Sequence, residues 1–241
     1  MTVTDVNVVK SAIFERPDDA NKGTLGSLLC VCGSYGMAGA AVMSAKGALR
    51  TGIGLAKCAL PRSIYPIVAQ TILESVYYPL SENADGRISK VNVPFLVSES
   101  CKSSATLVGC GLGVCDDTLK IVFSLIENST TPLVLDADAL NCVAKQPEIL
   151  LRKKALIIIT PHPGEMSRLT GLATPLVNAE RERVALDFAQ KYGVVTVLKG
   201  AGTVIASPNG KVLVNPTGNS GMATGGSGDV LAGMTASILA Q

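Results

Sequence analysis

The segment Asn219 to Gly233, NSGMATGGSGDVLAG, carries the residue types that phosphoryl transfer requires. Gly221, Gly225, Gly226 and Gly228 stand ahead of an apolar stretch that reads as a helix, and one carboxylate, Asp229, sits where those glycines end. Glycine lets a backbone approach a ligand closely and turn its N–H groups outward. A helix N-terminus adds unpaired donors and a partial positive charge, which together suit a phosphate. Beside a bound phosphoryl group, Asp229 is placed to take a proton from an attacking hydroxyl. The competing reading makes Asp229 a helix N-cap with no chemistry. Gly225, Gly226 and the small residues around them favour the phosphate, because a cap needs one good residue and not a bare loop.

Other residues with chemical potential fall after short apolar runs. Gly33-Ser34-Tyr35-Gly36, Gly109-Cys110-Gly111-Leu112-Gly113, Asp136-Ala137-Asp138, Thr160-Pro161-His162-Pro163-Gly164-Glu165 and Lys199-Gly200 each follow a strand candidate. In open α/β sheets ligands bind beyond the carboxyl ends of the strands, so these segments share one rim. His162 reads either as a helix cap or buried histidine, or as a ligand contact that stacks on a ring or bonds a phosphate. Asp136 and Asp138 are candidates for a hydrated Mg²⁺, with Asp138 better explained as the cap of a helix starting at Ala139. Lys199, ahead of Gly200-Ala201-Gly202-Thr203, offers a point charge to a phosphate. Thr203 offers a hydroxyl to a ribose or phosphate, and the alternative for the segment is a plain glycine hairpin. Asn219 either orients a substrate hydroxyl or shapes a turn, and Lys22-Gly23 with Gly26 reads as a surface turn.

The elements that must position these groups alternate along the chain. Strands are expected at Leu28–Cys32, Leu55–Leu60, Glu74–Tyr78, Ala105–Val108, Pro132–Leu135 and Leu156–Ile159, with helices between, as in a parallel sheet covered on both faces. The segment Ala38–Arg50 reads as a small-residue helix, and Val177–Tyr192 as one amphipathic helix with Glu180, Arg181, Glu182 and Arg183 opposite Val184, Leu186 and Phe188. Val194–Leu198, Thr203–Ala206 and Val212–Val214 follow with short turns, a hairpin addition on the edge of the sheet.

Composition narrows the function classes. The chain has 241 residues, 47% hydrophobic and 17% charged, with net charge +2, enough for one domain with a large core. No basic tract points to nucleic acid or an anionic membrane. No signal peptide and no membrane span are expected. Seven cysteines are scattered, and Cys30 and Cys32 are read as pointing to opposite faces of a strand, unable to share a metal. With His162 the single histidine, metal-ligand spacing is absent. The cysteines are expected to be buried small apolar residues in a reducing cytoplasm.

On the segments Lys22–Leu55, VLDADALN (Val134–Asn141), TPHPGE (Thr160–Glu165), LKGAGTVI (Leu198–Ile205) and NPTGNSGMATGGSGDVLAGM (Asn215–Met234), the chain resembles the ADP/ATP-dependent NAD(P)H-hydrate dehydratases of the ribokinase-like superfamily. The resemblance implies an α/β fold, a ribokinase-like three-layer α/β/α sandwich with a mostly parallel sheet and an antiparallel edge hairpin. It implies one domain over residues 1–241, lacking the last helices of the family. The implied activity is cofactor repair: the S-form of hydrated NADH or NADPH is returned to NAD(P)H at the expense of ADP, giving AMP and phosphate, or of ATP. By resemblance Asp229, Gly226 and Gly228 are catalytic. Ala40, Ala41, Gly111, His162 and Asp229 contact the hydrated cofactor, joined by Asn219 from the reading above. Lys199, Gly200, Ala201, Gly202, Thr203 and Gly228 contact the nucleotide, and Asp136 reaches Mg²⁺ through water or phosphate. A cytoplasmic homo-oligomer, a tetramer by resemblance, working beside an NAD(P)H-hydrate epimerase is also implied. The alternatives are a ribokinase-like small-molecule kinase and a non-catalytic nucleotide sensor.

Overall fold

The computed structural model describes Thr2–Val3 and residues 16–241. The expectation that no signal peptide opens the chain falls on residues 1–15, outside the described residues save for Thr2–Val3. The chain runs β1 (Thr2–Val3), β2 (Ser27–Val31), α1 (Ala38–Thr51), β3 (Leu55–Pro61), α2 (Tyr65–Thr71), β4 (Val76–Leu80), α3 (Val93–Cys101) and β5 (Ala105–Val108). It continues through α4 (Asp116–Asn128), β6 (Leu133–Leu135), α5 (Asp138–Val143), β7 (Ile157–Ile159), α6 (Pro163–Thr170), α7 (Thr174–Ala179) and α8 (Arg181–Tyr192). It ends with β8 (Val195–Leu198), β9 (Thr203–Ala206), β10 (Val212–Asn215) and α9 (Ser227–Ala240).

The strands form one sheet in the order β1-β10-β9-β8-β7-β6-β5-β2-β3-β4. From β8 to β4 every pair is parallel, with Leu28 opposite Ala105 and Ser27 opposite Leu55. β9 and β10 add the expected antiparallel edge. One strand was not expected: β1 pairs in parallel outside β10, Thr2 against Leu213 and Val3 against Val214, so β10 is no longer the edge.

The chain passes from β2 outward to β3 and β4, then returns to the other side of β2 as β5. That reversal makes the β2/β5 boundary a switch point, the place where open α/β sheets take their ligands. Gly33 and Cys110 begin those loops and stay tied, the Gly33 N–H donating to the Cys110 carbonyl at 2.8 Å.

Two apolar layers flank the sheet. Leu29 and Val31 face a core built with α3 to α8, while Leu28, Cys30 and Cys32 face one built with α1, α2 and α9. The cysteine expectation is therefore corrected: residues two apart on a strand share a face, and Cys30 and Cys32 point the same way, with Cys58 directly beside Cys30 in register. Cys101 and Cys115 are only partly buried, unlike the other five.

Helices α1 and α9 approach at backbone distance because both are rich in small residues. A Cβ on Gly47 would lie 2.7 Å from the Val230 carbonyl oxygen, and one on Gly233 only 2.0 Å from that of Ser44. The Ser237 hydroxyl donates to the Ala48 carbonyl at 3.0 Å. This close seat holds the N-terminus of α9 over the carboxyl rim of the sheet. The single helix expected over Val177–Tyr192 is two, α7 and α8, interrupted at Glu180 with φ −125° and ψ 41°. Periodicity missed the break because the apolar spacing carries on across it. Among the described residues no helix is long and apolar enough to cross a membrane.

Candidate active site

Five strand ends meet at one rim, and a buried carboxylate organises them. Asp136, at the end of β6, is 1% exposed. Its Oδ1 accepts from Lys199 Nζ at 2.7 Å and from the Thr160 hydroxyl at 2.8 Å, and its Oδ2 accepts from the Cys110 thiol at 3.8 Å. Lys199 comes from the end of β8 and Thr160 from the end of β7, so this ion pair ties three parallel strands together. The next residue, Ala137, has φ 48°, the one positive φ outside glycine among the described residues. Strain of this kind costs about 1–3 kcal/mol and gathers where the surroundings fix a functional group. Gly109 is required opposite it, since a Cβ there would stand 1.8 Å from the Asp136 carbonyl oxygen.

Asp138 departs from the expected cap. Helix α5 begins at Asp138 itself, and its Oδ2 accepts the Gly113 N–H at 2.8 Å. The carboxylate therefore ties down the Gly109–Gly113 loop. Asn219 serves its own turn, where its Oδ1 accepts from Gly221 N–H at 2.9 Å and caps the short helical turn Ser220–Met222 on the exposed side. The structure does not bring it to the Asp136 cluster.

His162 is the N-cap of α6. Its Nδ1 accepts from the N–H groups of Gly164 and Glu165 at 3.0 and 3.3 Å, while Glu165 Oε2 accepts the His162 N–H at 2.8 Å. This reciprocal arrangement is a capping box with histidine in the leading place. An Nδ1 that accepts twice leaves the ring proton on Nε2, which lies 3.4 Å from Glu165 Oε1. Burial, followed by the Lys199 and Arg168 charges, lowers the His162 pKa and favours the neutral ring. About half of the side chain remains exposed, so its face and outer edge can meet a ligand.

Glu165 is the functional neighbour that the residue-by-residue reading missed. Its carboxylate is buried, 3.9 Å from Lys199 Nζ, and burial pushes its pKa up to about 7 against the pull of Lys199. The signal was available in the sequence, because a glutamate three residues after a capping residue marks an N-terminus. Arg181 was likewise assigned to a solvated face. It instead donates to the carbonyls of Leu198 and Lys199 at 2.8 and 3.2 Å, fixing the Lys199–Thr203 loop. Gly200 holds φ +148°, a conformation that suits glycine, and a Cβ there would meet the guanidinium at 2.9 Å. The Thr203 hydroxyl donates to the Gly200 carbonyl at 3.0 Å, closing that loop on itself. Ala201, Gly202, Val204 and Val214 line a surface cavity of about 570 Å³ with Arg181 and Glu180, a size that suits a small ligand.

At α9 the N-cap is Gly226, with φ +90° and no side chain to cap the helix. Asp229 lies inside the first turn, which removes the N-cap reading. The opening amides of α9 thus lack the side-chain partner that α6 possesses. The Ser227 hydroxyl turns back to the carbonyls of Met222 and Thr224. A Cβ on Gly228 would sit 3.6 Å from Lys199 Nζ and 3.9 Å from Asp136 Oδ2, so the helix start faces the Lys199–Asp136 pair. Burial raises the Asp229 pKa, the Cys110 thiol and Lys199 pull it down, and Asp136 adds to the rise. A carboxylate at a helix N-terminus is ordinarily a weak base; burial here moves it in the useful direction.

Ala40 and Ala41 are buried at the start of α1 beside the switch point: a Cβ at Gly111 would lie 2.7 Å from that of Ala40, and one at Gly33 3.1 Å from that of Ala41. Cys110, Asp136 and Asp229 bring three ligand atoms within 4.8 Å of one another. Metal-ligand spacing invisible along the chain is thus produced by β5, β6 and α9 together. For Mg²⁺, which takes oxygen ligands and keeps several waters, Oδ2 of Asp136 and the Asp229 carboxylate fit, while the sulfur does not.

The sequence pattern of the family described as NAD(P)H-hydrate dehydratase matches residues 28–241. A bifunctional NAD(P)H-hydrate repair enzyme from Moorella thermoacetica is 38% identical over 96% of this chain and 44% of the relative. An ADP-dependent (S)-NAD(P)H-hydrate dehydratase from Neisseria meningitidis is 35% identical over 94% of this chain and 73% of its own. The chain thus spans less than half the length of the bifunctional relative. The crystal structure of an ADP/ATP-dependent NAD(P)H-hydrate dehydratase from Bacillus subtilis, co-crystallised with ATP and Mg²⁺, superposes with a TM-score of 0.84 at 30% identity, covering 100% of this chain and 82% of that one.

Proposed function

The chain belongs to the NAD(P)H-hydrate dehydratase family, and from that premise we propose that it repairs hydrated nicotinamide cofactors, returning the S-form of hydrated NADH or NADPH to NAD(P)H with ADP or ATP as co-substrate. The observation that carries this reading is Asp229 in the first turn of a helix with no capping side chain, facing the Lys199–Asp136 pair. Such a site suits a phosphoryl group next to a proton acceptor.

Hydroxide is a poor leaving group and phosphate a good one. The hydroxyl oxygen of the hydrate attacks the terminal phosphorus of ADP as its proton passes to Asp229, and the bond to the departing AMP oxygen breaks. The amides of Gly226 to Gly228 and the Lys199 ammonium meet the charge on the phosphoryl oxygens. The ring nitrogen then expels phosphate by forming a double bond to carbon, and loss of a proton from the adjacent carbon restores the dihydronicotinamide. Asp136 and Asp229 would hold Mg²⁺, which would supply neutralising charge to the phosphates.

In this reading Lys199, Gly200, Ala201, Gly202, Thr203 and Gly228 hold the nucleotide, whose base lies toward the cavity beside Arg181. Ala40, Ala41, Gly111 and His162 hold the hydrated cofactor. The resemblance supports a cytoplasmic homo-oligomer. That a relative more than twice as long is bifunctional supports work beside an NAD(P)H-hydrate epimerase. The test is incubation with hydrated NADH, Mg²⁺ and ADP or ATP. Recovery of the reduced-ring absorbance with stoichiometric phosphate supports dehydration. A phosphorylated product without recovery points to a kinase, and tight nucleotide binding without turnover to a sensor.

A further inference from the structure

Cys110 has no part in the proposed chemistry, yet its sulfur stands against two carboxylates. The thiol donates to Asp136 Oδ2 at 3.8 Å, and the ligand atoms of Cys110, Asp136 and Asp229 all lie within 4.8 Å of one another. Among the described residues this is the one place where three such atoms converge. We propose that these three side chains form a binding site for a thiophilic divalent cation such as Zn²⁺, and that its occupation takes Asp229 out of use as a proton acceptor.

The geometry is within reach of small rotations. Zinc bonds sulfur at about 2.3 Å and carboxylate oxygen at about 2.0–2.2 Å in a tetrahedron, which sets ligands a little closer than they stand here, and leaves a fourth position for water from the rim. Charge also closes. One thiolate and two carboxylates balance a divalent ion together with the Lys199 ammonium, which stays 2.7 Å from the other oxygen of Asp136. The fully buried Ser44 hydroxyl stands against the Cys110 sulfur as a hydrogen-bond partner that favours the thiolate. A metal-bound thiolate is an acceptor such a hydroxyl can serve.

Sulfur decides selectivity. Mg²⁺ prefers oxygen and water, whereas thiolate favours Zn²⁺ and other soft or borderline ions. The neighbouring Cys32 thiol and burial raise the Cys110 pKa, so the sulfur holds its proton until the ion arrives. Binding then forms a sulfur–metal bond and releases that proton to the buffer, and affinity climbs with pH.

The experiment uses the whole chain, freed of metal by chelation and titrated with Co²⁺ as a spectroscopic probe, with no substrate or nucleotide present. Its outcome is therefore separate from that of the repair assay. One equivalent of Co²⁺ is expected to give a near-ultraviolet sulfur-to-cobalt charge-transfer band that Zn²⁺ bleaches and excess Mg²⁺ does not. Cys110→Ser should abolish the band and Cys32→Ser should retain it. Asp229→Asn, which leaves the buried thiol in place, should weaken Co²⁺ binding about tenfold or more. A native protein without the band, a band that survives in Cys110→Ser, or unchanged affinity in Asp229→Asn overturns the proposal.

Discussion

Glu165→Gln isolates the electrostatic design of the rim, because glutamine can still accept the His162 N–H and keep the capping box while losing the charge. In the folded protein burial lifts the Glu165 pKa from its ordinary 4.5 to about 7. Between those values the native chain holds a proton that the unfolded chain has released. Stability therefore falls as pH rises through this window. The contribution is complete below pH 4.5 and lost above about 7. Each tenfold change in proton concentration is worth about 1.4 kcal/mol for one such group, so roughly 3 kcal/mol of stability rides on this proton. Urea unfolding of both proteins at pH 5 and pH 8, with linear extrapolation, reads the effect as a double difference that cancels other groups. The wild type is expected to lose about 2–3 kcal/mol more than Glu165→Gln over this interval. Parallel pH dependences would show that Lys199, 3.9 Å away, fully compensates the carboxylate and would refute the reasoning.

Lys199→Met leaves Asp136 buried without its ammonium and should destabilise the protein by about 3–5 kcal/mol; adding Asp136→Asn should restore much of the loss in thermal unfolding, and no restoration would contradict the pairing. His162→Ala removes a cap worth about 1 kcal/mol as well as a ring surface. His162→Asn should recover the stability and not the affinity for hydrated cofactor, measured by melting and by the KM for the hydrate. Gly233→Val places carbon where the Ser44 carbonyl stands, 2.0 Å away, forcing α1 and α9 apart. It should cost about 1–3 kcal/mol and lower Tm by roughly 2 °C or more, and an unchanged Tm would contradict the close seat of α9.

What was legible in the chain was punctuation. Gly33, Cys110, Asp136, Thr160 and Lys199 each break an apolar run, and a parallel sheet must gather such breaks on one rim. The uncapped start of α9 was legible for the same reason, since Gly226 takes a φ that other residues avoid. Tertiary contact was not legible. Asp138 looks like a cap in sequence, but the Gly113 amide is its partner, and that amide arrives from another strand. Glu180 and Arg181 look like part of a solvated helical face because period alone cannot see that Arg181 bonds the Lys199 loop. Cys110, Asp136 and Asp229 lie far apart in sequence, so no spacing rule detects the trio. The Cys30/Cys32 error was of another kind, a misapplied strand period that the sequence itself was enough to correct.

The most direct test of the central claim is single-turnover phosphate release with hydrated NADH and ADP, comparing the wild type with Asp229→Asn alongside nucleotide binding by calorimetry. If Asp229 accepts the hydroxyl proton as the phosphoryl group transfers, the substitution should slow release by about 10²- to 10⁴-fold while nucleotide affinity changes only a few-fold. Unchanged release, or losses of equal size in rate and affinity, would contradict it.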